Sequence, residues 1–378
     1  MRSYRNDYSE GAHPVVLDAL VRTNMEQHVG YAEDEWCAKA RAEIRKAVAA
    51  SDSKGALAAA GIDPEALEVR FVAGGTMANL LIMSAALRPH ECVIASPDGH
   101  VNVHETGAIE ANGHKVLTTA DANGLLTVAG VDQVMKDHLY GTDCHMVKPR
   151  ILYLSLATEI GLVPTAQDLA DLRAYADQHN LLFYIDGARL ACGLASDKCD
   201  ATLADVCAAA DAFSIGGTKN GLLFGEALVI RNPQIAHEFR YIMKQKGSFT
   251  AKGRLLGVQF HTLFTVTGQE AGIPEAQGQE AMYFSLGRHS VAMAKALQDV
   301  LVKHGFTQFA SEAAGNQLFP VIDVKDEAFF VESFNPEIFG RPDDNHVTVR
   351  LTTSWATTME HIAEADKLLA GYVNGAAL

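Results

Sequence analysis

The stretch Leu182-Phe183-Tyr184-Ile185-Asp186-Gly187-Ala188-Arg189 decides how this chain folds. Its four leading residues are apolar without a break, as in a strand buried on both faces. The run then stops at an acid and a glycine, where a strand gives way to a turn. A second stretch downstream has the same build. The apolar run 212–215 leads into Gly216-Gly217-Thr218-Lys219-Asn220-Gly221, which sets a lysine among small residues, 33 positions after Asp186.

Working outward, residues 69–73, 92–95, 151–156 and 227–230 read as further strands. Between them Met77, Leu80, Leu81, Ser84 and Leu87 recur at helical spacing, and the pattern predicts another helix over 166–180. Alternation of this kind implies an α/β fold, a large domain with a mainly parallel sheet. The pattern changes near residue 275, so the expected division is a large domain over 1–274 and a smaller α+β C-terminal domain over 275–378. The latter should hold a long helix over 280–304, strands at 317–321 and 347–352, and a final helix over 359–373. Residues 324–345, with Pro336 and Pro342, read as loop.

The chain has 378 residues, 48% hydrophobic and 20% charged, as in a globular protein. A net charge of −15 repels nucleic acid and anionic membranes, so neither is expected as a partner. No apolar run approaches the roughly 20 residues that span a bilayer, and the first residues lack the apolar stretch of a signal peptide. The six cysteines are scattered with no C-x-x-C pair, which fits a reducing cytoplasm.

Ligands of such sheets gather at the carboxyl ends of the strands. Asp186 lies at one such end and Lys219 follows another. A lysine amine beside a carboxylate suits a Schiff base to pyridoxal phosphate, the carboxylate keeping the pyridine nitrogen protonated. A helix-capping acid and a loop lysine are the plainer readings. Arg189 points either at the same ring or into a salt bridge. Gly74-Gly75-Thr76 between a strand and a helix reads as a phosphate cup or as an ordinary capped turn. Thr218 is a further candidate contact to phosphate or ring. His100 and His104 stand four apart, but no third metal ligand is spaced with them, so no metal is expected. An imidazole stacked on the cofactor and able to act as a base is the better functional reading, beside a structural one. Arg350 sits inside an apolar run and needs a partner, either a substrate carboxylate or an internal acid.

These pieces, in this order, resemble the L-threonine aldolases, in the β-eliminating lyase branch of the fold type I pyridoxal-phosphate enzymes. The resemblance runs from Asn6-Asp7-Tyr8-Ser9 through His13-Pro14 to Arg350. It is carried by the segments starting at Gly74, His100, Asp186 and Gly216. It implies Lys219 as the Schiff-base lysine, Asp186 on the pyridine nitrogen, Arg189 on the ring oxygen, and Gly75 and Thr76 on the phosphate. It further implies His100 stacked on the ring, His145 near the substrate β-hydroxyl, Arg350 on the substrate carboxylate, and Tyr31 in the active-site region from a neighbouring subunit. Asn6 stands in a region that helps hold the carboxylate, where many members have Ser. Met77 replaces a frequent Gln, and His104 a frequent aromatic. The implied reaction is retro-aldol cleavage of L-threonine or L-allo-threonine to glycine and an aldehyde, with His100 or His145 as base. The implied assembly is a tetramer built of dimers. Phenylserine cleavage, β-elimination and transamination are the enzyme alternatives, and a phosphate-binding α/β protein is the non-catalytic one.

Overall fold

Seven strands form the main sheet of the structure, a computed structural model that describes residues 2–120, 124–139 and 143–375. They are β1 (Glu68–Val72), β2 (Glu91–Ala95), β3 (Val116–Thr118), β4 (Lys148–Ser155), β5 (Leu182–Asp186), β6 (Ala212–Gly216) and β7 (Glu226–Ile230). Their spatial order is β1-β7-β6-β5-β4-β2-β3. The pairs from β6 through β3 are parallel, whereas β7 runs against both β6 and β1. The carboxyl ends of β1, β2, β4, β5 and β6 therefore share one edge, and the first residue of the reversed β7 joins them there.

Alternate residues of each strand enter opposite cores, which is why the runs are apolar throughout. Leu152, Leu154, Phe183, Ile185, Phe213 and Ile215 pack on one face, with the helices Glu35–Ala50 and Arg254–Thr265. Ile151, Tyr153, Leu182, Tyr184 and Ala212 pack on the other, with the helices Gly75–Ala86 and Phe239–Gln245.

A smaller sheet closes the C-terminal part. Strand β11 (His346–Thr352) lies at its centre and pairs antiparallel with β8 (Gln317–Leu318), β9 (Val321–Asp323) and β10 (Glu337–Gly340). The helices Met282–Lys303 and Met359–Val373 cover it. The first of these enters both cores: Tyr283 and Leu286 pack with the main sheet, Leu297 and Leu301 with the small one.

Three local expectations need correction. Strand β3 is absent from the sequence reading, since three residues at an edge carry little periodicity. The strand expected over 317–321 is two, because Pro320 offers no N–H to continue a ladder. Residues 324–345 are not loop: they hold the helix Glu327–Phe334 and β10. Phe329, Phe330 and Phe334 are buried in the small core and hold that helix, while both prolines fall outside its span.

Candidate active site

A cleft of about 340 Å³ opens at the shared strand edge. The turn after β1, Ala73-Gly74-Gly75-Thr76, lines it and leads into the helix Gly75–Ala86. Among the described residues no side chain caps that helix. Its first-turn N–H groups and the Thr76 hydroxyl therefore face the cleft as donors without a capping acceptor, a ready anion site.

Asp186 ends β5 and is 4% exposed. Its carboxylate accepts from Tyr153 Oη at 2.7 Å, Asn79 Nδ2 at 2.9 Å and the Ala188 N–H at 3.0 Å. Gly187 lets the chain turn here. A Cβ at Gly187 would lie 1.9 Å from the Ser214 carbonyl oxygen, and the same approach lets Gly187 N–H bond Ser214 Oγ at 2.8 Å.

Lys219 projects from the loop joining β6 to β7. That loop is tied by Gly217 and Thr218 N–H groups donating to the Gly225 carbonyl, both at 3.1 Å, while Gly225 N–H returns a bond to Thr218 Oγ1 at 2.9 Å. Gly225 has φ +123°, so a side chain there would strain the closure. Burial, then the nearby Arg189 cation, hold the Lys219 ammonium below the usual lysine range, against the pull of Asp7, Asp186 and Glu226. Such an amine is easily freed of its proton and becomes a nucleophile.

Arg189 lines the cleft and is gripped from behind by Asp7, with Nε–Oδ2 at 2.7 Å and Nη2–Oδ1 at 3.1 Å. Burial alone would raise the Asp7 carboxyl, but Arg189 and then Lys219 hold it below the usual range. Asn316 Nδ2 donates to the same carboxylate at 2.9 Å, tying the small sheet's neighbourhood to the cleft.

His100 follows β2 and opens the short helix His100–Val103. Its Nδ1 lies 2.8 Å from Glu105 Oε1, and since a carboxylate only accepts, Nδ1 carries the hydrogen. Asn79 Nδ2 donates to that same oxygen at 2.6 Å, so Asn79 links Glu105 to Asp186. Burial, then His100 and Arg350, lower the pKa of His104.

Of the residues singled out in the sequence, Gly75, Thr76, His100, Asp186, Arg189, Thr218 and Lys219 all line this cleft. Arg350 borders it. Arg350 is 8% exposed on β11, opposite Glu337 of β10, and donates to that carboxylate through Nη2, leaving Nε buried with no partner among the described residues. Its charge reaches His104 and Arg189.

Three of the singled-out residues lie outside this cleft in the single chain, Tyr31 having been expected from a neighbouring subunit. His145 is exposed on the turn Asp143–His145, ahead of β4, whereas the cleft lies beyond that strand's far end. Eight residues separate the ends, roughly 25 Å at a strand's rise. Asn6 is not a lining residue: its Oδ1 accepts from Tyr8 N–H at 3.0 Å and Ser9 Oγ at 2.8 Å, shaping the turn that carries Asp7 and Tyr8. Tyr31 lies in a different groove with Arg240, Tyr241, Lys244 and Phe249, its ring 5.5 Å from that of Phe249.

Four acids were not singled out: Asp7, Glu105, Glu159 and Glu226. The available signal was a charged residue beside apolar strand residues or beside a glycine, as at Gly225-Glu226-Ala227. Glu226 is 4% exposed, accepts from the Gly217 N–H at 3.2 Å and has its carboxyl pushed by burial up to about 8.

The beta-eliminating lyase profile matches residues 7–321. The chain belongs to the beta-eliminating lyase family. Within that family it is similar to a low-specificity L-threonine aldolase of a Pseudomonas species, with 32% identity over 68% of this chain and 69% of the relative. It is similar also to the solved threonine aldolase of Leishmania major, with 39% identity, 99% and 100% coverage and a TM-score of 0.88. The Thermotoga maritima aspartate aminotransferase, at 14% identity and TM-score 0.66, shares the fold alone. The chain is thus a lyase that depends on pyridoxal phosphate. Its cleft fits that group in donor chemistry: an uncapped helix start for phosphate, a buried carboxylate for the ring nitrogen and a desolvated lysine amine for the aldehyde carbon.

Proposed function

We propose that this cleft splits L-threonine and related β-hydroxy amino acids between Cα and Cβ, releasing glycine and an aldehyde. One observation carries the reading: Lys219, Asp186, His100 and the Gly75–Thr76 helix start line one cleft, and the Arg350 charge acts on His104 in its wall. The threonine aldolase relatives support the substrate class.

Bound pyridoxal phosphate supplies an electron sink for the pair left on Cα when the bond breaks. Each residue then has a task. Gly75, Thr76 and Thr218 would hold the phosphate, and Asp186 would keep the ring nitrogen protonated. Lys219 would hold the aldehyde carbon through its desolvated amine. Arg189, fixed by Asp7, would serve the ring oxygen. His100 would cover the ring, its orientation set by Glu105. Arg350 receives the substrate carboxylate in competition with Glu337, which holds its Nη2. Holding the Cα–Cβ bond across the ring plane is the main lever, since orientation decides which bond at Cα breaks.

Two broader readings accompany this. Val21, Met25 and Val29, near one another in sequence, expose apolar side chains, which supports a homo-oligomer, with a tetramer of dimers as the proposed form. Six free cysteines support a cytoplasmic setting.

The test is to incubate the holoenzyme with L-threonine and quantify glycine, acetaldehyde and keto acid. Equal glycine and acetaldehyde supports the aldolase. Keto acid in their place points to transamination or elimination.

A further inference from the structure

Three acids line the cleft, and two are already committed. Asp186 is held for the ring nitrogen. Glu226 opens β7 opposite Val72, at the foot of the Gly74–Thr76 cup, and binds the Gly217 N–H, which places it at the phosphate and lysine end. The third acid, Glu159, lies just past the carboxyl end of β4 and is 8% exposed. Its Oε1 accepts from the His100 N–H at 2.9 Å and from Ser155 Oγ at 2.6 Å. Oε2 accepts no hydrogen bond from any other described residue and is not fully enclosed. A carboxylate pinned by one oxygen, with the other open to a reaction cleft beside His100, is arranged to accept a proton.

We propose that Glu159 is the general base of the cleavage, its free Oε2 taking the β-hydroxyl proton of the bound amino acid. This rests on the reading of the cleft as a β-hydroxy amino acid cleavage site. It fills the task that His145 is too distant to perform. As Oε2 gains the proton, the O–H pair becomes the second bond of the aldehyde carbonyl. The Cα–Cβ bond breaks, and its pair stays with Cα on the cofactor side. Cα then takes one proton from solvent and Glu159 returns one to solvent, so glycine and aldehyde together contain the atoms of the substrate.

The surroundings suit the task. Burial raises the Glu159 carboxyl above the usual glutamate range, with Asp186 adding to the rise, while Ser155 and His100 oppose it. Arg189 and Tyr153 also feel its charge. A base whose pKa moves toward the working pH transfers protons efficiently.

The experiment compares wild type with Glu159→Gln, which keeps the acceptor for His100 N–H and Ser155. Three properties are measured: L-threonine and phenylserine cleavage across pH, exchange of the glycine α-proton in deuterated water, and cofactor titration onto the apoprotein. Exchange needs Cα chemistry but no β-hydroxyl base. The expected result is kcat/KM for cleavage down ~10²-fold or more with the acidic limb of its pH profile gone. Glycine exchange should stay within about threefold, and cofactor affinity should not change. Cleavage within about fivefold of wild type would overturn the proposal. So would exchange falling in step with cleavage, since Glu159 would then only support His100. Failure of the substrate reading looks different: wild type itself leaves both β-hydroxy amino acids intact, and the proposal falls with it.

Discussion

Asp7 grips Arg189 across 182 residues of sequence with two hydrogen bonds, 2.7 and 3.1 Å long. The N-terminal segment is thereby part of the cleft wall. Replacing Asp7 with Asn leaves a buried guanidinium without its counter-charge, a loss of about 3–5 kcal/mol for a buried pair. The expected outcome is a lower apoprotein Tm together with weaker cofactor binding, read by thermal unfolding and by cofactor titration. An unchanged Tm would show that Arg189 finds another anion.

Lys219 carries the sharpest pH expectation. Its folded pKa is below the ordinary 10.5, so charging it opposes folding. That cost is full below the folded pKa and fades as pH rises toward 10.5. The Lys219→Met apoprotein should therefore gain Tm over wild type at pH 7, with the gap narrowing by pH 10. The same change should lower turnover by ~10³-fold or more, because the nucleophilic amine is gone. A gap that does not vary with pH would mean that the lysine is not desolvated.

Arg350 offers a test of carboxylate recognition. Arg350→Lys keeps the charge but loses the planar fork. A lost hydrogen bond to a charged group is worth about 1.5–3 kcal/mol, so KM for L-threonine should rise about 10- to 150-fold. Steady-state kinetics with L-threonine as the varied substrate decide it, and an unchanged KM would leave Arg350 as the partner of Glu337 alone.

Gly187→Ala should damage the site from within the sheet. The added methyl would meet the Ser214 carbonyl at 1.9 Å, so β5 and β6 must separate at the turn that carries Asp186. Overpacking of this kind costs about 1–3 kcal/mol. Both a lower Tm and weaker cofactor binding are expected, and wild-type values for the two would contradict the observed close approach.

His145→Ala should leave kcat and KM within about twofold of wild type, as surface substitutions away from a site do. A large drop in kcat would bring the turn Asp143–His145 into the reaction by a route that a single chain does not provide.

Much of the large sheet was legible because its strands are buried on both faces. Runs such as 182–185 and 212–215 leave no other assignment, and each ends in a residue unlike those before it. The helix over 359–373 has the expected limits. The segment 324–345 was illegible because three phenylalanines, not a regular period, hold its helix. Within the cleft, Lys219, Asp186, His100 and Gly75–Thr76 stood out because each breaks a pattern next to a strand end. Asp7, Glu105, Glu159 and Glu226 did not, because an isolated acid looks like surface until its burial is known.

The sequence by itself determined the α/β fold, the strand ends that make the cleft and the lysine–aspartate pair within it. Those follow from local order: strand, turn and residue type are neighbours along the chain. Only the tertiary structure decided that Asp7 holds Arg189, that Glu337 holds Arg350, and that Glu159 reaches the cleft while His145 does not. These are long-range outcomes of packing and burial, and no spacing along the chain encodes a distance across a sheet.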